Sequence, residues 1–410
     1  MKASDGMRLY SLLPKFEDTR TWAEIDQEAL VSNYKYLWDM ITRKTEAAGV
    51  KLPEPICVVK ADAYGHGARG TVPGLIDAGC RFFAVSAIEE AVEVRNICLK
   101  MGIKSNILIL GVTLPSLAEK LAEYDVITTV PSFEYAKRLS DAALDAGVRV
   151  RVHIKLDTGM NRLGFSAYDG ESIEKTVAEI AACQKLKGIK TEGMFTHFAE
   201  ADEREDGILD GATKIQAERF LECKKRLESL GVKIPFCHMC NSAAAVRFPQ
   251  LALDGVRLGI SLYGVRPSGA FNLKLRPVMA LKTKISHIHT LKKGEKVGYG
   301  GTYVAESDRI LATLPIGYAD GFLRAYGGSK VLVSSKNGDF EAPIIGRICM
   351  DQCMIDISDG VSNLPMVGDE VTLFGDCEER IYDIAERAGT IAYEVLCAVS
   401  SRVIRLYNEE

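Results

Sequence analysis

No apolar run in the 410 residues approaches the roughly 20 needed to cross a bilayer. The opening stretch, MKASDGMRLYSLLPKFEDTR, lacks an apolar segment long enough for a signal peptide. Charge of one sign is not in excess either: 51 Lys and Arg face 55 Asp and Glu, a net of -4, which gives no basic footprint for nucleic acid. A disulfide framework is also missing, because the 11 cysteines are odd in number and scattered, a usage that suits a reducing cytoplasm. Cys237-His238-Met239-Cys240 and Cys349/Cys353 have suggestive spacing, yet no second pair follows the first at a finger-like interval. Buried free thiols and no metal are the expectation. The sequence holds no low-complexity stretch, no internal repeat beyond a β/α alternation, and no G-x-G-x-x-G after its first apolar strand.

What is present fits a soluble globular protein with a large core: 47% of residues are hydrophobic and 26% charged. The length favours two domains. Short apolar runs alternate with helical patterns from about residue 55 to 265. They are Ile56–Lys60, Phe82–Val85, Ile107–Leu110, Ile127–Val130, Val150–Leu156, Glu192–Phe198, Pro235–Met239 and Leu253–Leu258. One amphipathic stretch puts Ala217, Phe220, Leu221, Leu227 and Leu230 on one face, with Gly231 as its stop. Eight strands too apolar to face water on either side predict a parallel sheet covered by helices, closed as a (β/α)8 TIM-like barrel. A doubly wound open sheet is the competing architecture.

Beyond about residue 265 the pattern turns β-rich, through Ala280–Leu291, Arg309–Leu314, Lys330–Val333 and Glu370–Phe374, with Gly, Asn and Asp turns between. The expected division is residues 1–30 as a tail and strand, 31–265 as the barrel, and 266–410 as a mostly β domain. Thr21–Ile25 reads as a strand that could join either domain, leading into a helix capped by Asp26.

Barrel chemistry gathers at the carboxyl ends of the strands. Lys60 stands at the end of the first, with Tyr64 and His66 beyond it. Lys155, Asp157 and Arg162 follow the fifth, His197 the sixth, Asn241 and Ser242 the seventh, and Arg257, Gly259 and Ile260 the eighth. Two readings of Lys60 stand on spacing alone: a snorkelling lysine, or an amine whose partial burial makes it a Schiff-base nucleophile. Ser242 and the amides around Gly259 lie in the loops where barrels often hold phosphate. A lysine opposite such a cradle suits a sugar phosphate or pyridoxal 5′-phosphate (PLP).

Eight motifs then occur in order: VVKADAYGHG, KLDTGMNRLGF, THFAEAD, HMCNSAA, DGVRLGISLYG, GYGGTY, PIGYADG and GRICMDQCMID. Together they resemble the motif series of the alanine racemase family, over about Thr21 to Tyr407. The resemblance implies a PLP-dependent isomerase that interconverts L- and D-alanine by two bases, supplies D-alanine for peptidoglycan, and works as a cytoplasmic homodimer. It makes Lys60 the PLP-bearing lysine and the base for D-alanine, and Tyr299 the base for L-alanine, delivered by the partner subunit. Tyr64, Ser242, Gly259, Ile260 and Tyr393 match the phosphate ligands, with Asn241 beside them and His197 packing on the ring. Arg257 matches the arginine facing the pyridine nitrogen, and Arg162 the one that binds phenolate and substrate carboxylate. The Met350 amide, again from the partner, would bind that carboxylate. Asp202, Tyr318, Arg347 and Asp351 would support the entrance, and Lys155 holds a position that some members carbamylate. Asp62 and Asn161 depart from the Asn and Gly common there, and the residues before Thr21 have no recognised counterpart, so a tail is expected. A serine or broad-specificity racemase, a fold-related PLP decarboxylase and a non-catalytic PLP-binding protein are the alternatives. Tyr318 and Tyr393 favour a small methyl side chain; GYGGTY, GRICMDQ and the extra β domain favour a racemase.

Overall fold

Strands buried on both faces must be covered by helices outside and filled by side chains inside. In the computed structural model, which describes residues 19–203 and 208–408, that requirement organises the unit Gln27–Arg276. After β1 (Thr21–Ile25) and the helix Gln27–Ala47, the chain forms β2 (Glu54–Val58), β3 (Phe82–Val85), β4 (Asn106–Ile109), β5 (Ile127–Val130) and β6 (Val150–Asp157). Then come β7 (Phe165–Ser166), β8 (Ile189–Phe195), β9 (Phe236–His238) and β10 (Gly255–Leu258). Hydrogen bonding runs β5-β4-β3-β2-β10-β9-β8-β6, and β5 also pairs with β6. Eight parallel strands therefore close on themselves, and the open-sheet alternative falls. The short β7 extends β6 at its carboxyl end.

Two strand ends differ from expectation, and both carry site residues. β2 stops at Val58, so Lys60 does not end the strand; the Val59 amide still bonds Ala84 O at 2.8 Å, and the chain then coils left-handed. β8 stops at Phe195, which places His197 in the following loop. The helix Gly211–Ser229 buries Ala217, Phe220 and Leu227 along with Thr213, Gln216 and Cys223, but leaves Leu221 and Leu230 exposed. Leu221 sits about 100° around the helix from Phe220, off the buried stripe; Leu230 is the C-cap, and Gly231 follows at φ +76°.

The barrel interior is unusually polar. His153 and Lys155 of β6, His238 of β9 and Arg257 of β10 are all buried. Room for one of them comes from a residue without a side chain: Gly193 pairs with His153 across β6 and β8, and a Cβ there would lie 2.5 Å from the imidazole.

Among the described residues, the second unit comprises 19–26 and 277–408. Its strands are β11 (Met279–Lys284), β12 (His287–Leu291), β13 (Lys296–Val297), β14 (Tyr303–Val304), β15 (Arg309–Leu314), β16 (Lys330–Ser334), β17 (Phe340–Ile345), β18 (Cys353–Asp356), β19 (Glu370–Phe374) and β20 (Ile404–Tyr407). Nine strands form one sheet in the order β12-β15-β18-β17-β16-β19-β11-β1-β20, so β1 joins this unit, antiparallel to β11 and parallel to β20. Helices Glu378–Ala388 and Ala392–Ala398 interrupt the β pattern; the first shows helical spacing in its buried Arg380, Ile381, Ile384 and Ala385. Apart from residues 19 and 20, the expected N-terminal tail lies outside the described residues.

The close approach at Gly193 makes a direct prediction. Gly193→Ala overpacks the barrel against His153 and costs about 1–3 kcal/mol in urea unfolding. Gly170→Ala, where a Cβ meets nothing within 4 Å, leaves stability unchanged or slightly raised in the same measurement.

Candidate active site

Lys60 begins a five-residue left-handed turn. Ala61, Asp62, Ala63 and Tyr64 have φ of 53°, 51°, 55° and 54°. Each non-glycine residue in that region costs about 1–2 kcal/mol, so the surroundings must hold the turn in place. They do so at several points. The Glu90 carboxylate accepts from the Ala61 amide at 2.5 Å, and Asp62 Oδ1 from the Ala68 amide at 2.7 Å. The Ala63 amide donates to Val59 O at 3.0 Å, and the Gly65 amide to Ala61 O at 2.9 Å. Below, Tyr263 packs on Tyr64 and His66, at ring distances of 4.9 and 4.6 Å, and bonds Val58 O through its hydroxyl. The turn thus fixes Lys60 Nζ 6.0 Å from the Tyr64 ring centre.

Tyr64 in turn leads to a small polar cradle. The Gly259 amide donates to Ser242 Oγ at 2.8 Å, and a Cβ at Gly259 would lie 2.9 Å from the Tyr64 hydroxyl. Any larger residue at Gly259 would fill the space between these groups. Asn241 serves differently from its neighbours: its side chain accepts from the Ala244 amide at 3.0 Å and caps the helix Ser242–Arg247. Ile260 is buried at the head of the turn Ile260–Tyr263.

Arg257 lies at the end of a buried chain of hydrogen bonds. It donates to His238 Nδ1 at 2.8 Å, to Thr196 O at 2.8 Å, to Met239 O at 2.9 Å and to His197 Nδ1 at 3.3 Å. A guanidinium only donates, so both imidazoles present a bare Nδ1 and carry their proton on Nε2. His238 Nε2 then donates to His153 Nδ1, 3.2 Å away. Burial keeps the histidines neutral: it pushes His153 down to about 3 and His238 well below the usual histidine range. His197 is lowered as well, first by burial and then by the cations Arg257, Lys155, Arg162 and Lys60 that face it. Arg257 itself is pulled down by burial to about 10, which leaves it charged at neutral pH.

Lys155 is buried on the same interior face, 5.4 Å from the Phe195 ring, with Nζ donating to Leu156 O at 2.8 Å. Arg162 follows a loop in which the Asp157 carboxylate accepts from the amides of Gly159, Asn161 and Arg162 at 3.0–3.1 Å. Asn161 takes φ +54° there, which explains a residue that tolerates left-handed backbone. Gln216 ties down the His197 loop by bonding His197 O and the Ala199 amide. Asp202 is also on this unit, where its carbonyl accepts from the Ser268 hydroxyl. Sequence reasoning missed His153, Gln216 and Glu90, and gave His238 only a place in a cysteine cluster. For His153 a signal existed: His153, Lys155 and Asp157 alternate within an apolar strand and so share a face.

Tyr299, Tyr318, Arg347, Met350, Asp351 and Tyr393 belong to the β unit. Tyr299 sits on the turn Tyr299–Gly301 between β13 and β14, with its side chain 71% exposed. Arg347 reaches the same turn, its guanidinium 3.2 Å from where a Gly300 Cβ would stand. Leu291, Val297, Ala305, Leu311 and Ile345 form the apolar cluster that anchors this hairpin. Met350 is 54% exposed on the turn Cys349–Gln352, and Tyr318 lies on the turn Tyr318–Asp320. Cys237, Cys240 and Cys353 are buried free thiols.

The buried Lys155 gives a pH signature. Burial, then Arg257, lowers it from 10.5 to about 7, with Asp157 opposing. Between these values the unfolded chain holds a proton that the folded chain has lost, so stability rises with pH across that window. Below it the folded protein carries the full cost of a buried ammonium. Urea unfolding at successive pH values reads this slope, and Lys155→Met abolishes it.

Known proteins show the same design. The alanine racemase N-terminal domain model matches residues 25–267, and the C-terminal domain model residues 278–407. An alanine racemase of Clostridium tetani is 42% identical over 394 residues, covering 94% of this chain and 95% of its own. Among solved structures, alanine racemase from Clostridium difficile 630 superposes with a TM-score of 0.84 at 39% identity, covering 96% of this chain and 97% of its own. Alanine racemase from Bacillus anthracis, solved with bound L-Ala-P, gives 0.82 at 32% identity, covering 97% of this chain and 96% of its own. With both domains matched and relatives aligned over nearly the whole length, the chain belongs to the alanine racemase family.

Proposed function

We propose that this chain is an alanine racemase that uses PLP held at the barrel mouth, acts as a cytoplasmic homodimer, and supplies D-alanine for peptidoglycan. The observation that carries the reading is the gathering, at the carboxyl ends of the strands of one barrel, of an anchored lysine beside the cradle of Tyr64, Ser242 and Gly259 and of a buried guanidinium bonded to His197. The cradle suits a phosphate, because the bare Gly259 backbone leaves open the space that Tyr64, Ser242 and Gly259 surround. Lys60 would attach the cofactor, with the Ile260 amide and Tyr393 completing the phosphate ligands and His197 packing on the ring. When bound, PLP supplies the electron-withdrawing ring that acidifies the substrate Cα–H.

The rest of the chemistry belongs to the chain. Arg257, a donor at every contact, would face the pyridine nitrogen and hold it unprotonated, which limits charge delocalisation and suppresses side reactions such as transamination. Arg162 and the Met350 amide would orient the substrate carboxylate. Lys60 Nζ would exchange a proton with Cα on one face and the Tyr299 hydroxyl oxygen on the other. Arg347 would keep a positive charge beside the Tyr299 turn; Asp202, Tyr318 and Asp351 would line the entrance, and a carbamate on Lys155 would give Arg162 an anionic partner. The exposure of Tyr299 and Met350 supports their delivery to the site of a second copy, where both would be covered.

Tyr299→Ala tests the two-base assignment. The holoenzyme variant loses exchange of the L-alanine α-proton far more than that of D-alanine, by at least about tenfold in single-turnover exchange into deuterium oxide. It keeps the absorbance band of lysine-bound PLP. Equal loss in both directions would sink the assignment of Tyr299 to one face.

A further inference from the structure

Two turns of the β unit interlock through their backbones. The Tyr318 amide donates to Cys349 O at 3.1 Å and the Ala319 amide to Met350 O at 3.0 Å. The approach is so close that a Cβ on Gly317 would lie 2.3 Å from Cys349 O and 2.4 Å from Met350 O. Across a trans peptide the carbonyl and the next amide point in opposite directions. Fixing Cys349 O onto the 317–321 turn therefore aims the Met350 N–H away from that turn.

A buried carboxylate organises this junction. Asp320 is fully buried; its Oδ2 accepts from the Gly317 amide at 3.0 Å, and its Oδ1 from Arg20 at 3.0 Å. Arg402 Nε stands 3.3 Å from the same Oδ1, while its NH2 donates to Asp351 Oδ1 at 2.9 Å. One guanidinium thus spans the two turns. The segment carrying it is itself strapped down: the Ser400 amide donates to Asp320 O and its hydroxyl to Ala319 O, both at 3.0 Å. Arg405 also donates to the carbonyls of Val399, Ser400 and Val403.

We propose that Asp320 and Arg402 are positioning residues for substrate binding: Asp320 orients Arg402, and Arg402 holds Asp351 so that the Met350 amide is preset for a carboxylate. This rests on the assignment of the Met350 N–H to the substrate carboxylate made above. The side chain of Arg402 is 45% exposed, and when it is replaced Arg20 and the Gly317 amide still pair the buried Asp320. The pair of Arg402 with Asp351 is exposed on both sides, and such a pair contributes at most about 1 kcal/mol, which corresponds to a factor of about five in binding.

The test is steady-state kinetics on the holoenzyme, with propionate as a competing carboxylate. Arg402→Gln raises KM for both alanine enantiomers and the propionate inhibition constant by about three- to fivefold, with kcat within about twofold. Arg402→Lys recovers part of the loss. Asp351→Asn produces a similar rise, and the double variant adds nothing to it. An unchanged propionate constant in a folded Arg402→Gln, a Lys variant no better than Gln, or effects that multiply in the double variant would each overturn the proposal. Met350→Pro, which removes the amide proton, separates the two readings. If it leaves propionate binding intact, the carboxylate does not use this amide and the underlying assignment fails. If it weakens binding where Arg402→Gln does not, the positioning role alone fails.

Discussion

A cation inside a barrel must be solvated by the protein, and Arg257 is solvated by neutral groups. Its acceptors are the carbonyls of Thr196 and Met239 and the Nδ1 atoms of His197 and His238. A carboxylate in their place would offer a proton-accepting partner and a compensating charge. Carbonyl dipoles and bare imidazole nitrogens instead solvate the positive charge without neutralising it. The consequences spread outward. Both imidazoles must be neutral with the proton on Nε2, His238 must find an acceptor in His153, and Gly193 must give His153 its room. The field of the same cation helps to depress Lys155 and His197. Burial is the larger cause in each case, and the one buried cation adds to it at Lys155, His197 and His238.

The second constraint is the left-handed turn after β2. A chain leaving a parallel strand has inexpensive ways to turn, and this one takes a costly way through four non-glycine residues. The return is placement: the turn points Lys60 and Tyr64 to the same side within five residues, with Glu90 and Asp62 holding it by side chain-to-amide bonds. Ligand binding then requires little reorganisation of the lysine.

Much of this was legible in the sequence, for physical reasons. Strands that are apolar on both faces announce a covered parallel sheet, and eight of them in about 200 residues leave few closures besides a barrel. Lys60, His197 and Arg257 stood out because polar residues interrupt or end apolar runs. The exact ends of β2 and β8 were not legible, since a strand's last bond depends on its neighbour's register, and nothing in V-V-K-A-D-A-Y signals left-handed backbone. Asp62 and Asn161 were noted only as departures from family usage; their φ values of 51° and 54° show why acidic and amide residues can stand there. Asp320 and Arg402 were invisible for a different reason. They are 82 residues apart in the sequence, and each reads as an ordinary surface charge until Gly317 brings two turns into backbone contact.

The two units also differ in how they carry their functional groups. In the barrel His153, Lys155, His238 and Arg257 are buried, and all but Lys155 are joined in one hydrogen-bonded chain across β6, β9 and β10, while Arg162 stands exposed on a loop fixed by Asp157. In the β unit Tyr299 and Met350 stand on turns, with 71% and 54% of their surfaces open to solvent. Exposing a tyrosine and a methionine at turn tips forgoes the burial that each could contribute, about 1.5–3 kcal/mol for a side chain of that size. Selection for stability of a lone chain would favour polar residues there. The turns beneath them are nonetheless built rigidly, by the apolar cluster under the β13–β14 hairpin and by the Gly317 and Asp320 contacts under Met350. Rigid support under an exposed apolar group is the pattern of a group preset to meet another surface. In the dimer proposed above, covering Tyr299 and Met350 with a second copy would recover the forgone burial.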